Sequence, residues 1–168
     1  QVVSLGGEFV KVDYEEEGSG GGGYAKVMSE GFQAAQRQMY AQQAKECDII
    51  ITTALIPGKP APRLITAEMV QSMKPGSVIV DMAAANGGNC PLTEADKVVT
   101  KHGVKMVGLS NYPALCPTDA SHFYAQNLVN LLDILWTKKE GAAPELNLAD
   151  DIVAAALVTN KGAVCRSQ

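Results

Sequence analysis

Apolar residues along this chain follow two rhythms. Short runs dominated by β-branched side chains recur at Asp48–Thr53 (DIIITT), Ser77–Met82 (SVIVDM) and Gly103–Leu109 (GVKMVGL). Runs of that length and composition fit strands buried on both faces of a parallel sheet. Glu8–Asp13 alternates, which predicts a further strand. Helical spacing fills the intervals. Ser29 opens a helix reaching about Lys45, with Phe32, Ala35 and Met39 on one stripe. Thr66 caps a short helix through Met73, stopped by Lys74-Pro75-Gly76. Leu92–Thr100 reads as another short helix, and Thr118–Trp136 as the longest. On that last helix Tyr124, Leu128, Leu131, Leu132 and Leu135 form one apolar face. The leading QVVSL reads as the tail of a helix with a glycine stop at Gly6 and Gly7.

Strands separated by helices imply right-handed crossovers and a parallel sheet. The fold class expected is therefore three-layer α/β, with parallel strands near 8–13, 48–53, 77–82 and 104–109. The tail breaks the alternation: Ile152–Thr159 and Ala163–Arg166 flank Asn160-Lys161-Gly162, the signal of a β-hairpin. The expected division is 1–137 for the sheet domain with its long final helix, and 138–168 for a tail packing on a companion domain or partner subunit.

Composition narrows the function classes. The chain has 168 residues, 46% hydrophobic and 19% charged, with a net charge of −4. Its basic residues are scattered, so it lacks the patch expected of a nucleic-acid binder. No apolar run approaches the ~20 residues that span a bilayer, and nothing at Gln1 reads as a signal or transit peptide. Cys47, Cys90, Cys116 and Cys165 are too far apart for C-x-x-C chemistry and read as free thiols of a reducing compartment. The two histidines, His102 and His122, are 20 residues apart and make no metal-ligand motif.

The candidate site lies where Asp48–Thr53 ends. The chain stiffens there through Pro57, Gly58, Lys59, Pro60 and Pro62. Ligands of open α/β sheets bind at loops leaving the carboxyl ends of strands. Here the sequence resembles a known family. GYAKVMSEGF, TTALIPGKPAPRLIT, MKPGSVIVDMAAANGGNCPL and HGVKMVGLSNYP, in this order, are similar to the NAD(H)-binding component (alpha subunit, domain I) of proton-translocating NAD(P) transhydrogenase, a relative of alanine dehydrogenase. The resemblance runs from Gln1 to about Val164 and implies a Rossmann-like sheet. The family's G-x-G-x-x-G fingerprint, with its ribose-binding acid, is absent from this stretch. The chain is thus expected to be a fragment that starts inside the second helix of the nucleotide domain and does not hold NAD tightly by itself.

The residues themselves leave some readings open. Ala54 and Leu55 suit either core packing at a strand end or contact with an adenine ring; Ala54 is small and Leu55 offers an apolar face. Gln36 puts an amide on an otherwise apolar helix stripe, to be satisfied by nearby backbone or by a nucleotide. The acidic and glycine-rich run from Glu15 to Gly23 suits a solvated loop, or a hinge for a lid carrying Tyr24. Asn86-Gly87-Gly88-Asn89 follows a strand end beside the same crevice. The resemblance favours the ligand readings and implies cofactor contacts at Gly23, Tyr24, Gln36, Ala54, Leu55 and Asn89. Asp81 reads as structural. Asn111-Tyr112-Pro113 ends a strand and is a weaker candidate for the nicotinamide end or a subunit interface.

Direct hydride transfer needs two nicotinamide rings held together and dry, with no protein acid or base. The chain has no catalytic constellation, so no catalytic residue and no metal are expected. The function implied is NAD(H) binding within a transhydrogenase that passes hydride to NADP(H) on a separate domain. The partners implied are the missing N-terminal segment of the domain, a second copy in a homodimer, and NADP-binding and transmembrane domains. The implied location is a soluble domain on the matrix side of the mitochondrial inner membrane or the cytoplasmic side of a bacterial one. An alanine dehydrogenase-type enzyme is the alternative, although Met82-Ala83-Ala84-Ala85-Asn86 lacks the acid such enzymes carry in this loop. A non-catalytic scaffold is the third reading.

Overall fold

The β-branched runs do form strands. In the computed structural model, which describes residues 1–15, 28–56, 58–136 and 146–165, β1 (Ile49–Thr52), β2 (Val78–Asp81) and β4 (Val104–Val107) pair in parallel. Thr52 lies in register with Asp81, and Val80 with Val107. β3 (Val98–Lys101) adds antiparallel to β4, giving the order β1-β2-β4-β3. This is a mixed, mostly parallel, Rossmann-like sheet with helices.

Two caps read from the sequence set the helices. α1 (Glu30–Glu46) starts at Ser29, whose hydroxyl accepts the Phe32 N–H at 3.2 Å. α2 (Ala67–Ser72) starts at Thr66, whose hydroxyl accepts the Met69 N–H at 3.2 Å. α1 and α2 pack together, and the core forms from Ala44, Val70, Ile79, Val104 and Met106. Among the described residues no helix is long and apolar enough to cross a membrane, and no group of three or more His, Cys, Asp or Glu side chains could hold a metal.

Four local expectations are corrected. Residues 8–13 form no strand: alternation makes a strand only where a neighbour takes up the backbone hydrogen bonds. The leading segment is a single 3₁₀ turn, Val3–Leu5, ended by Gly6 at φ +82°. Leu92–Thr100 is not a helix; it runs through turns into β3. His102 and Gly103, at φ +52° and +79°, supply the double left-handed turn that folds β3 onto β4. Residues 152–156 belong to α4 (Asp151–Ala156), because the Asp150 carboxylate accepts the Ile152 and Val153 N–H groups. The predicted turn at 160–162 holds. It joins β5 (Thr159–Asn160) to β6 (Ala163–Val164), with Lys161 at φ +47° and Gly162 at φ +80°.

The chain divides into two units, Gln1–Ser110 with the four-stranded sheet, and Asn111–Gln168. The second holds α3 (Pro117–Leu135), α4 and the hairpin. None of the α3 residues is buried.

Candidate functional site

Two loops leave the carboxyl ends of neighbouring parallel strands. The loop after β1 carries Thr53, Ala54 and Leu55 into the proline-rich run; the loop after β2 carries Ala83–Cys90. They are stitched to each other. Asn89 is fully buried. Its Oδ1 accepts the Ala54 N–H at 3.2 Å, and its Nδ2 donates to Ala54 O at 2.9 Å and Pro62 O at 2.8 Å. The Asn89 carbonyl accepts the Leu64 and Ile65 N–H groups at 2.9 and 3.1 Å. Asn86 adds a stitch, its carbonyl accepting the Ala61 N–H at 2.8 Å.

Asp81 anchors this arrangement from the end of β2. Its side chain is fully buried. Oδ2 accepts from Asn89 N at 2.8 Å, Cys90 N at 3.1 Å and Thr93 Oγ1 at 2.7 Å; Oδ1 accepts from Ala83 N at 3.1 Å. A buried charge is tolerable when donors surround it in this way. Gly88 makes the geometry possible. It sits at φ +80°, and a Cβ there would come within 2.7 Å of Asp81 Oδ2. Burial, then the Asp81 charge, pushes the Cys90 thiol above the usual thiol range, so it stays protonated at neutral pH.

A cavity of about 440 Å³ opens on the outer side of β1. Val10, Tyr40, Cys47, Ile51, Thr52 and Ala54 are among its walls. Thr52 Oγ1 is buried with no hydrogen-bond partner among the described residues. Ile49 and Ile51 are exposed, and among the described residues β1 has a strand neighbour on one side only.

The structure thus brings Ala54, Leu55 and Asn89 into one cluster. Ala54 is half-buried, with both backbone polar groups held by Asn89; Leu55 is 47% exposed. Gln36 is half-buried on α1. Gly23 and Tyr24 lie outside the described residues. Asn111 belongs to the second unit, where its Oδ1 accepts the Ala114 N–H at 3.3 Å and caps a 3₁₀ turn. The coupling of Asn89 to Ala54 is not foreseeable from the sequence. Its only trace there is an amide placed beside two glycines at a strand end.

A parallel sheet with paired loops at its carboxyl edge is the architecture of nucleotide-binding α/β domains. The alanine dehydrogenase/PNT C-terminal domain family matches residues 1–167, and the chain belongs to it. It is 61% identical over 142 residues to NAD(P) transhydrogenase subunit alpha of Haemophilus influenzae, covering 84% of this chain and 28% of that protein. It is 46% identical over 167 residues to NAD(P) transhydrogenase subunit alpha of Cereibacter sphaeroides, covering 98% and 32%. Alanine dehydrogenase 1 of Staphylococcus aureus is 41% identical over 99 residues, 56% of this chain and 27% of that protein. The crystal structure of transhydrogenase from Sinorhizobium meliloti superposes with a TM-score of 0.71 at 41% identity, covering 97% of this chain and 41% of that one. The chain spans less than half the length of the relatives it matches.

Proposed function

We propose that this chain forms a share of the NAD(H)-binding domain of a proton-translocating NAD(P) transhydrogenase. The observation that carries the reading is the identity to a transhydrogenase alpha subunit over nearly the whole chain, against just over half of it for alanine dehydrogenase. The loop after β2 points the same way: from Met82 to Asn89 it carries no acid to serve amino-acid chemistry. Bound NADH would supply the hydride. The residues fit its adenine end. Ala54 presents a small side chain at the strand terminus, and half-exposed Leu55 offers apolar surface to a ring.

The open side of β1 supports a further partner. Its edge, unpaired among the described residues, suits another parallel strand, and exposed Ile49 and Ile51, on one face, suit the helix that follows such a strand, both supplied by the fingerprint-bearing portion of the same domain. NADP(H) would sit on a separate domain of the assembly, beside a transmembrane domain that carries the protons. The apolar stripe of α3 suits contact with a second copy, making a homodimer.

The test uses the full-length subunit assembled with its NADP-binding partner. Reduction of an NAD⁺ analogue by NADPH, with no turnover of alanine or pyruvate, is the expected result. Amino-acid oxidation in place of transhydrogenation would overturn the reading.

A further inference from the structure

Asn89 has no side-chain donor left for a ligand. Both Nδ2 hydrogens go to the carbonyls of Ala54 and Pro62, and Oδ1 takes the Ala54 N–H. Three bonds from one buried side chain fix the two ends of the loop that carries Leu55. Between them, among the described residues, Lys59 N–H to Ile56 O at 3.1 Å closes a turn within the loop, and Ala61 N–H to Asn86 O at 2.8 Å is a further anchor close to its Pro62 end. Asn89 is in turn fixed by its own backbone, through its N–H on Asp81 Oδ2.

We infer that Asn89 is a positioning residue for the adenine end of the dinucleotide site, acting through the Ala54–Leu55 backbone, with Asp81 and Gly88 holding it in place. The inference rests on the nucleotide-binding reading above. The physical reason is preorganisation. A loop that must carry an apolar contact to a flat ring binds weakly if its ordering opposes the binding step itself. Asn89 removes that cost in advance. Neither loop could do it alone: the polar groups of Ala54 face the β2 side, and only an amide combines one acceptor with two donors at that spacing. Aspartate at 89 would keep the acceptor and lose both donors; alanine would lose all three bonds and leave buried backbone groups unpaired.

The experiment measures NADH, 5′-AMP and nicotinamide mononucleotide binding by calorimetry in the full-length subunit, together with hydrogen exchange. Asn89→Ala is expected to weaken NADH and AMP by the same factor, about tenfold or more, and to leave nicotinamide mononucleotide unchanged. The Ala54 amide should exchange faster while the β2 amides do not. Asn89→Ser keeps one short hydroxyl in place of the amide and adds no charge, so its loss should fall between wild type and Asn89→Ala; it decides the matter if the alanine variant does not fold. Unchanged AMP affinity with a freed Ala54 amide would overturn the inference alone. Equal losses for AMP and nicotinamide mononucleotide would also overturn it, making Asn89 a general structural prop. Wild-type protein that binds none of the three would overturn the nucleotide reading, and the inference with it.

Discussion

Ile79, Val104 and Met106 in the sheet are chemically close to Tyr124, Leu128 and Leu132 in α3. The first three are at most 1% exposed, and the last three are 46–68% exposed. The sheet unit encloses a core of its own, with α1, α2 and three parallel strands meeting around Ile79. α3 has 19 residues and buries none of them. A helix with an apolar stripe owes most of its stability in a protein to whatever covers that stripe. The sheet side chains therefore report on folding, and under the proposed homodimer the α3 side chains report on association.

Four measurements sharpen or break this contrast. The largest effect is expected in the core. Ile79→Ala should cost about 2–5 kcal/mol in denaturant unfolding, through lost transfer energy and a cavity. Leu128→Ala should cost under about 1 kcal/mol in the same protein when it is dilute. Equal costs would show that α3 is as much a core element as β2. Next is association. Leu128→Lys with Leu132→Lys should abolish self-association in sedimentation without altering the circular dichroism spectrum, because each buried Leu is worth about 1.5–3 kcal/mol. A wild type that is monomeric at all concentrations would remove the homodimer from the proposal.

The third effect falls on the site. Leu55→Asp would set an unpaired charge against an apolar ring, so NADH affinity should drop about tenfold or more. Unchanged titration curves would displace Leu55 from the adenine contact. The smallest is electrostatic. Lys101 first, then Lys97, hold the Glu94 carboxyl below its ordinary range, at 2.9 and 3.1 Å. A carboxyl whose folded pKa is lowered contributes stability above its unfolded pKa and loses it as pH falls through the folded one. Glu94→Gln should therefore lower Tm slightly at neutral pH, and the difference should vanish in acid. Glu94 is a surface group, so the shift should be small.

The elements legible in the sequence are those decided locally. IIIT, VIVD and VKMV are β-branched enough to fix β1, β2 and β4, and Ser29 and Thr66 are caps whose side chains reach their own helix. β3 is hidden because Leu92 to Lys97 is rich in helix formers. What decides the segment is the His102–Gly103 turn beyond it and the grip of Thr93 on Asp81. α4 is hidden because β-branched Ile152 and Val153 suggest a strand, and the Asp150 cap outweighs them. At the site, the placement of Ala54, Leu55 and Asn89 beside each other follows from neighbouring strand ends. That Asn89 commits its amide to Ala54 depends on which loop faces which, and no spacing in the sequence encodes that.

The two margins of the sheet differ in a way that gives it polarity. β3 closes one margin: Lys97, Lys101 and Glu94 crowd it with charge, and its antiparallel direction breaks the parallel series. β1 ends the other margin in three consecutive isoleucines with no charge among them. Among the described residues β1 is the edge free of charge, so a further parallel strand is received more readily there than beside β3. The sheet thus behaves like a seeded crystal face, with one growing side and one poisoned side. Under the proposed reading, a strand from the fingerprint-bearing portion would add beside Ile49–Thr52, with β1, β2 and β4 as its template.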